Sequence, residues 1–262
     1  MKLELISRYP AGDSRATPLL FVHGAWHAAW CWDVHFLPYF TQHGYAAHAL
    51  SLRGHGGSEG RRRLRWHRIP DYVADVAQTV QQLPQPPVLI GHSMGGLIVQ
   101  KYLERTDAPA AVLLASVPPS GVLATTWRVA RHHPLAFAKA NLTLSLYPIV
   151  ATPALAREAL FTPDMPEEAV QDYAGRLQDE SYRAFLDMLA FSLPKPHKVK
   201  TPMLVLGAGR DTIIVPAQVE ATARAYGTRA EIFPEMGHDM MLDPAWEQAA
   251  QRILTWLRER GL

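Results

Sequence analysis

The pentapeptide Gly-His-Ser-Met-Gly at residues 91–95 constrains the fold of this chain more than any other feature. It directly follows the apolar run 87–90 and directly precedes residues 96–103, whose pattern is typical of a helix. The glycines predict a sharp turn, because larger side chains would collide around a serine held in so strained a backbone conformation. Such a turn would lift the Ser93 hydroxyl clear of the sheet. It would also direct the amide of Met94 and the positive end of the new helix at whatever Ser93 attacks.

The rest of the chain alternates between strand patterns and helix patterns, which predicts an α/β fold. Strands joined by helices require right-handed crossovers, so we expect a mostly parallel central sheet of seven or eight strands flanked by helices. For the final helix, Asp243 is predicted as the N-cap and Pro244 as the first residue. The predicted strands are 3–8, 19–22, 45–52, 88–90, 111–115, 203–206 and 230–233. The predicted helices are 32–42, 70–83, 96–103, 216–226 and a C-terminal helix.

One long segment, residues 116–200, interrupts this alternation. It has no buried-strand pattern, only helical stretches separated by prolines. A helical insertion at the edge where core strands end would cover a site there, so we predict a cap, or lid, over 116–200 and a core formed by 1–115 and 201–262. Most apolar side chains of the cap should pack its helices together, and others should line an apolar substrate pocket. The pocket candidates are Trp26, Trp127, Phe137, Leu146 and Phe185.

A serine hydroxyl is a poor nucleophile at neutral pH, so Ser93 needs a base, and the base needs a carboxylate. Asp211 follows the predicted strand 203–206, and His238 lies in the loop after the next strand. Because parallel strands end at one edge of a sheet, both side chains should emerge beside Ser93. We therefore predict Ser93 as the nucleophile, His238 as the base and Asp211 as the acid. Asp239 is less favoured as the acid, because a neighbour in sequence cannot easily reach the His238 nitrogen that faces away from the serine.

The segment after the strand 19–22 reads His-Gly-Ala and offers the second half of an oxyanion hole. Gly24 allows a close approach, and the amide of Ala25 is the predicted partner of the Met94 amide. Two amides directed at a developing oxyanion lower the barrier by about 3 kcal/mol each. Three further histidines near this site are interpreted as hydrogen-bonding residues that stabilise loops rather than as bases: His23, His55 and His92.

Composition and charge argue against several classes of partner. The chain has 262 residues and a net charge of +2, which is too small to indicate a polyanionic partner, so we expect no nucleic acid. A dense basic run at 61–68 is typical of a solvated loop, and a role for it in binding an anion or a membrane surface stays open. The single Cys31 excludes an intrachain disulfide and cysteine-based zinc motifs, and it fits a reducing compartment.

The hydropathy pattern indicates a globular protein. Residues 1–6 read as a strand rather than a signal peptide, and no apolar stretch is long enough to cross a bilayer. No group of His, Asp and Glu has the spacing of metal ligands. We therefore expect a cytoplasmic monomer or homodimer with no stable membrane insertion, no metal and no cofactor.

These motifs, taken in order, resemble the α/β-hydrolase superfamily over nearly the whole chain. The resemblance rests on the turn at Ser93, the His-Gly-Ala loop, an Arg-Gly-His-Gly loop at 53–56, Asp211 and the pair Gly237-His238. The chain order Ser, Asp, His is the order of that family.

Two segments point to branches within the superfamily. Residues 23–32 resemble plant methylesterases and hydroxynitrile lyases. Residues 91–96 resemble bacterial esterases, monoacylglycerol lipases and cofactor-free haloperoxidases with perhydrolase activity. Ser51 is a departure, because many relatives carry an aspartate there.

The resemblance implies a reaction class once particular residues are compared. Dehalogenases and epoxide hydrolases of this fold attack with an aspartate where this chain has Ser93. Hydroxynitrile lyases carry a lysine and a threonine where this chain has Asp239 and Gly24. The leading expectation is therefore a carboxylesterase or small lipase that cleaves a small apolar ester through an acyl-enzyme on Ser93. A carbon–carbon bond hydrolase, a perhydrolase and a non-enzymatic receptor with an intact triad stay open as alternatives.

Overall fold

The centre of the molecule is a mostly parallel β-sheet. A computed structural model of the chain describes residues 1–12 and 14–262. In these residues the sheet has seven strands: β1 (Leu5–Arg8), β2 (Leu19–Val22), β3 (Ala47–Leu50), β4 (Val88–His92), β5 (Ala111–Leu114), β6 (Met203–Ala208) and β7 (Ala230–Phe233). Their order is β1-β3-β2-β4-β5-β6-β7, with β1 antiparallel to β3 and all other neighbours parallel. The predicted fold class is confirmed, and seven is the correct one of the two expected strand counts.

Helices cover both faces of the sheet, and none in the described residues is long and apolar enough to span a bilayer. The α-helices of residues 1–12 and 14–262 are α1 (Trp30–Asp33), α2 (Phe36–Gln42), α3 (Ile69–Val80), α4 (Met94–Leu103), α5 (Leu123–His132), α6 (Pro134–Thr143), α7 (Pro153–Leu160), α8 (Glu167–Arg176), α9 (Tyr182–Leu186), α10 (Pro216–Ala225) and α11 (Trp246–Glu259). Two helices, α1 and α2, replace the single helix predicted over 32–42. Pro38 explains the break, because in a continuous helix its ring would collide with the carbonyl of Val34, whereas the first turn of α2 tolerates it.

The five inner strands, β2 to β6, are buried on both faces, which divides the core in two. In β2, Leu19 and Phe21 belong to the half that packs against α1, α2 and α11, whereas Leu20 and Val22 belong to the half that packs against α3, α4 and α10. The Phe21 and Trp32 rings lie 5.0 Å apart, centroid to centroid. Burial on both sides explains why these strands read as continuous apolar runs rather than alternating ones. The rigid sheet then places the carboxyl ends of β4, β6 and β7 along one edge.

The residues between β5 and β6 form a helical insertion, α5 to α9, that is joined to the sheet domain by two buried carboxylates. Glu180 accepts a hydrogen bond of 2.8 Å from the Tyr72 hydroxyl and lies 3.0 Å from His55 Nε2. Asp187 accepts a hydrogen bond of 3.0 Å from the Arg68 guanidinium. Both carboxylates belong to the insertion and their partners belong to the rest of the chain. The insertion is therefore fixed relative to the edge of the sheet.

Replacement of Glu180 by alanine should destabilise the protein. The buried Tyr72 hydroxyl and His55 ring would lose their acceptor, which should lower the free energy of unfolding by about 2–4 kcal/mol. Urea unfolding followed by circular dichroism measures this change. Glu167→Ala is the matched control, because its pair with Arg157 is on the surface and should matter much less. Equal losses in the two variants would contradict the role assigned to Glu180.

Candidate active site

The backbone at Ser93 forms a sharp turn between β4 and α4, as predicted. Ser93 has a φ of 52°, which lies in a backbone region that residues other than glycine rarely adopt. Its amide donates to the carbonyl of Leu114 at 3.1 Å, which ties the turn to the neighbouring strand. A Cβ atom at position 91 would lie 2.6 Å from the Gly95 carbonyl oxygen, so the turn requires glycine there. The strained backbone thus presents the serine hydroxyl at the edge of the sheet.

His238 lies within hydrogen-bonding distance of two other predicted site residues, Ser93 and Asp211. His238 Nε2 lies 3.0 Å from the Ser93 hydroxyl oxygen, and His238 Nδ1 lies 2.7 Å from Asp211 Oδ2. The other Asp211 oxygen accepts the amides of Ile213 at 2.7 Å and Ile214 at 2.8 Å, which fixes the carboxylate after β6. This arrangement can move a proton from the hydroxyl to the ring while the carboxylate stabilises the resulting cation.

The surroundings of His238 favour its protonated form. Burial alone would lower the pKa of His238, but the charge and hydrogen bond of Asp211, followed by the charge of Asp239, raise it above its ordinary value of 6.5. The ring is therefore a stronger base than an isolated imidazole, and it loses its proton at a higher pH than an isolated imidazole does.

A loop after β2 brings a second group of atoms to the serine. A Cβ atom at position 24 would lie 2.9 Å from Ser93 Cβ, so Gly24 lets the loop touch the turn. Ala25 and Met94 border the same cavity as Ser93. Among residues 1–12 and 14–262, neither of these two backbone amides donates to another protein atom. Two free amides beside the Ser93 hydroxyl can receive a negatively charged oxygen.

The three histidines predicted to stabilise loops do so. His23 Nδ1 donates to the Gly24 carbonyl at 2.8 Å, and its Nε2 accepts the Leu52 amide at 3.0 Å. His92 Nε2 donates to the carbonyl of His238 at 3.0 Å. Burial, followed by the charge of His238, lowers the pKa of His92 to about 3, so this ring is neutral. His55 contacts Glu180, as described above.

Asp243 does not cap the last helix, contrary to the prediction. Helix α11 begins at Trp246, beyond Pro244. The Asp243 carboxylate instead accepts the amides of Gly237 and Ala245, each at 2.9 Å. The buried Gly237 amide needs an acceptor, and the turn before α11 brings the carboxylate to it. Asp243 therefore holds the loop that carries His238, a role that its helix-cap pattern did not reveal.

A mostly apolar cavity of about 90 Å³ lies against Ser93. Four predicted pocket residues line it: Trp26, Phe137, Leu146 and Phe185. Trp127 does not line it, because its side chain is 70% exposed. The lining face of this segment is instead formed by residues at helical spacing: Val122, Thr125, Thr126 and Val129. That periodicity could have excluded Trp127, which lies off the face.

Several lining residues were missed because distant segments bring them to the cavity. Asn141 and Tyr182 are the clearest, since the Tyr182 hydroxyl donates to Asn141 Oδ1 at 2.7 Å across two helices of the insertion. Ile213 and Ile214 reach the cavity through the same loop that holds Asp211. No sequence pattern relates these positions to Ser93.

One group of side chains has the composition of a metal site. Atoms of His92, His238 and Asp239 that could bind a metal all lie within 4.8 Å of one another. Both ring nitrogens of His238, however, contact Ser93 and Asp211. A metal ion bound by this group would therefore require the ring to leave one of those two partners.

Comparisons with known proteins find relatives in sequence and in fold. A family model described as the alpha/beta hydrolase family matches residues 19–250. A non-heme chloroperoxidase of Streptomyces lividans is 37% identical over 119 residues, which are 44% of this chain and 42% of that protein. Methyl jasmonate esterase 1 of Vitis vinifera is 30% identical over 95 residues, or 36% of each chain. These matches thus span about two fifths of the relatives' length or less.

A solved structure extends the likeness in fold to the whole chain. A monoacylglycerol lipase from Paleococcus ferrophilus superimposes with a TM-score of 0.74 at 20% identity, covering 99% of this chain and 100% of that one. At this identity the likeness concerns the fold alone.

His238 should titrate with a midpoint above 6.5, while His92 stays neutral throughout. The cause is the raised pKa of His238 and the pKa of about 3 of His92. Ring resonances followed by NMR between about pH 4.5 and 9 measure both. Asp211→Asn should lower the His238 midpoint, because it removes the negative charge that stabilises the cation. A midpoint that Asp211→Asn leaves unchanged would contradict the assigned pairing.

Proposed function

Because the chain belongs to the α/β-hydrolase family, we propose that it is a serine hydrolase that cleaves carboxylic esters through an acyl-enzyme on Ser93. The observation that carries this proposal is the contact of the Ser93 hydroxyl with a histidine that is itself paired with Asp211. The two free amides of Ala25 and Met94 beside the same hydroxyl support it further. Nucleophile, base, acid and oxyanion donors are the groups that acyl transfer requires.

In the acylation step, His238 takes the proton of Ser93 as its oxygen attacks the ester carbonyl carbon. The carbonyl oxygen becomes negatively charged, and the amides of Ala25 and Met94 stabilise it. Asp211 stabilises the imidazolium. The tetrahedral intermediate then breaks its bond to the alcohol oxygen, and His238 gives its proton to the leaving alcohol.

Deacylation repeats these events with water as the nucleophile. His238 removes a proton from a water molecule, which attacks the carbonyl carbon of the acyl-Ser93 ester. The same amides receive the oxyanion a second time. The carboxylic acid leaves, and His238 returns the proton to Ser93, which restores the free enzyme.

The proposed substrate is a small apolar ester, because the cavity beside Ser93 is bordered mostly by aliphatic and aromatic side chains. Among the polar side chains of the lining, Asn141 and Tyr182 bind each other. We propose that residues 116–200 act as a cap on the core of 1–115 and 201–262. The cap would set acyl preference, because its helices supply most of the lining while the reacting groups come from the core.

Perhydrolysis is a second candidate activity, favoured by the similarity to a protein named non-heme chloroperoxidase. Hydrogen peroxide would replace water in deacylation, so that attack on the acyl-Ser93 ester releases a peracid. The reaction uses the same residues and needs no further group from the protein. Peracid formation from an ester and hydrogen peroxide, measured against ester hydrolysis in the same mixture, tests it.

Ser93→Ala should abolish most turnover of p-nitrophenyl acyl esters. The expected loss in kcat is about 10⁴-fold or more, because the nucleophile is removed while the oxyanion donors remain. Unchanged circular dichroism serves as the control for folding. A tenth of wild-type activity in Ser93→Ala would disprove the assigned nucleophile.

The same assay on the wild-type protein separates the alternatives. Release of only one p-nitrophenol per chain would favour a receptor, and inertness toward every ester would favour a carbon–carbon bond hydrolase.

Phe137→Ala and Phe185→Ala should each shift the preferred acyl chain toward longer substrates. Both side chains border the cavity, so trimming them should favour longer chains by a few-fold per added carbon, since one methylene contributes about 1 kcal/mol or slightly more. The measurement is kcat/KM across p-nitrophenyl esters of increasing length. Trp127→Ala is the matched control, an aromatic residue of the same insertion that lies outside the lining. The same length profile in all four proteins would mean that the pocket is built elsewhere.

A further inference from the structure

A second acid–histidine pair lies beside the first and has no part in the mechanism above. His27 Nε2 is 2.9 Å from Asp239 Oδ2, and both side chains are fully buried. Asp239 directly follows His238 in the chain. His27 belongs to the loop that supplies the Ala25 amide. The pair thus joins two loops that meet at Ser93.

Each ring nitrogen of His27 faces an oxygen atom that can accept a hydrogen bond. Its Nδ1 lies 2.8 Å from the carbonyl oxygen of Ala25, which can only accept, so Nδ1 carries a hydrogen. Its Nε2 faces the carboxylate of Asp239. Burial alone would raise the pKa of Asp239, but the charge and hydrogen bond of His27, followed by the charges of His92 and His238, lower it below its ordinary value. The pair is therefore a direct contact between an acid and a histidine that are both fully buried.

The contact between His27 and Ala25 holds a strained turn. Trp26, between these two residues, has a φ of 66°, which is unfavourable for so large a side chain. Bonds on either side of this residue hold it there: His27 donates to the Ala25 carbonyl, and the Gln178 amide donates to the Trp26 carbonyl at 2.9 Å. The Ala25 amide directly precedes this turn, so both belong to one loop.

Asp239, like His27, is held by contacts with neighbouring segments. Its amide donates to the Leu160 carbonyl at 2.9 Å, and its second carboxylate oxygen lies 3.7 Å from His92 Nε2, the group that donates to the His238 carbonyl. The carboxylate therefore has a fixed place relative to the His238 ring. Neither His27 nor Asp239 borders the cavity.

We propose that the buried contact between His27 and Asp239 is a positioning device that couples the loop carrying the Ala25 amide to the loop carrying His238. It would keep the oxyanion donor and the base in register, so that both act on the same carbonyl group. This inference rests on the proposed hydrolase function, because it assigns the pair a part in that reaction. His27 and Asp239 are positioning residues, since neither touches the reacting atoms.

Asp239→Asn should lower kcat about 10- to 100-fold with little change in KM, because a misdirected donor costs the transition state more than substrate binding. It should also lower the pH midpoint of activity, because the negative charge of Asp239 helps to stabilise the His238 cation. Rates are expressed per serine titrated by a fluorophosphonate, so that loss of folded protein does not count as loss of catalysis. Asp172→Asn, an exposed carboxylate paired with Arg176, is the matched control and should behave as wild type. Several titratable groups surround the two residues on which this pH dependence rests. Those around His238 are Asp211, Asp239 and His92, and those around Asp239 are His27, His92, His238 and Cys31.

A double-mutant cycle separates coupling from two independent structural effects. If His27 and Asp239 act through one contact, His27→Gln combined with Asp239→Asn should lose about as much kcat as the worse single variant. A double variant whose loss in kcat is the product of the two single losses would overturn the proposal. So would an Asp239→Asn variant whose kcat per titrated serine is unchanged, whose defect is confined to KM, or whose pH midpoint of activity does not move.

Failure of the proposed function is distinguishable from failure of this inference. A wild-type protein that turns over no ester would remove the hydrolase proposal. The rate at which the fluorophosphonate modifies Ser93 and the NMR midpoint of His238 need no turnover, and both should still fall in Asp239→Asn if the pair positions these loops.

Discussion

The tight turn at Ser93 is the constraint on which the rest of the site depends. A φ of 52° is tolerated only because the surrounding glycines leave room for the backbone, and because the Ser93 amide is bound to the adjacent strand. The same closeness brings Gly24 against the turn, so the loop after β2 is in contact with Ser93. A side chain at either place would separate the hydroxyl from the free amides of Ala25 and Met94. The strained backbone at Ser93 is therefore linked to the placement of Gly24 and of the amides of Ala25 and Met94.

Buried carboxylates perform most of the remaining positioning, and each one has a specific partner. Asp211 accepts two amides and faces the His238 ring, Asp239 faces His27, and Glu180 and Asp187 hold the insertion. An uncompensated charge in such surroundings would cost several kcal/mol, so these pairs specify geometry more than they add stability. The proposed chemistry uses one pair directly. The others keep the loops and the insertion where that pair can act.

Particular residues show where sequence patterns succeed and where they fail. Ser93, Asp211 and His238 were expected to lie together because each follows a predicted parallel strand, and the sheet does bring these three side chains together. Trp127 was misplaced because apolar character alone does not say which side of a helix faces inward, and its side chain is exposed. Asp243 matched a helix-cap pattern, but a buried amide 6 residues earlier in the chain takes its carboxylate. A helix-cap pattern does not show that another backbone amide competes for the same carboxylate.

The sequence by itself determined the fold class, the seven- or eight-stranded sheet, the place of the insertion and the positions of Ser93, Asp211 and His238 after their strands, because these depend on periodicity and on local turn chemistry. Only the tertiary structure decided which side chains border the cavity, which amides stay free and which buried charges pair. The contact of His27 with Asp239 joins residues more than 200 positions apart, and no local propensity encodes it. Long-range contacts of this kind arise only when the whole sheet has brought its loops to one edge, since burial leaves each charge no partner but the one the fold supplies.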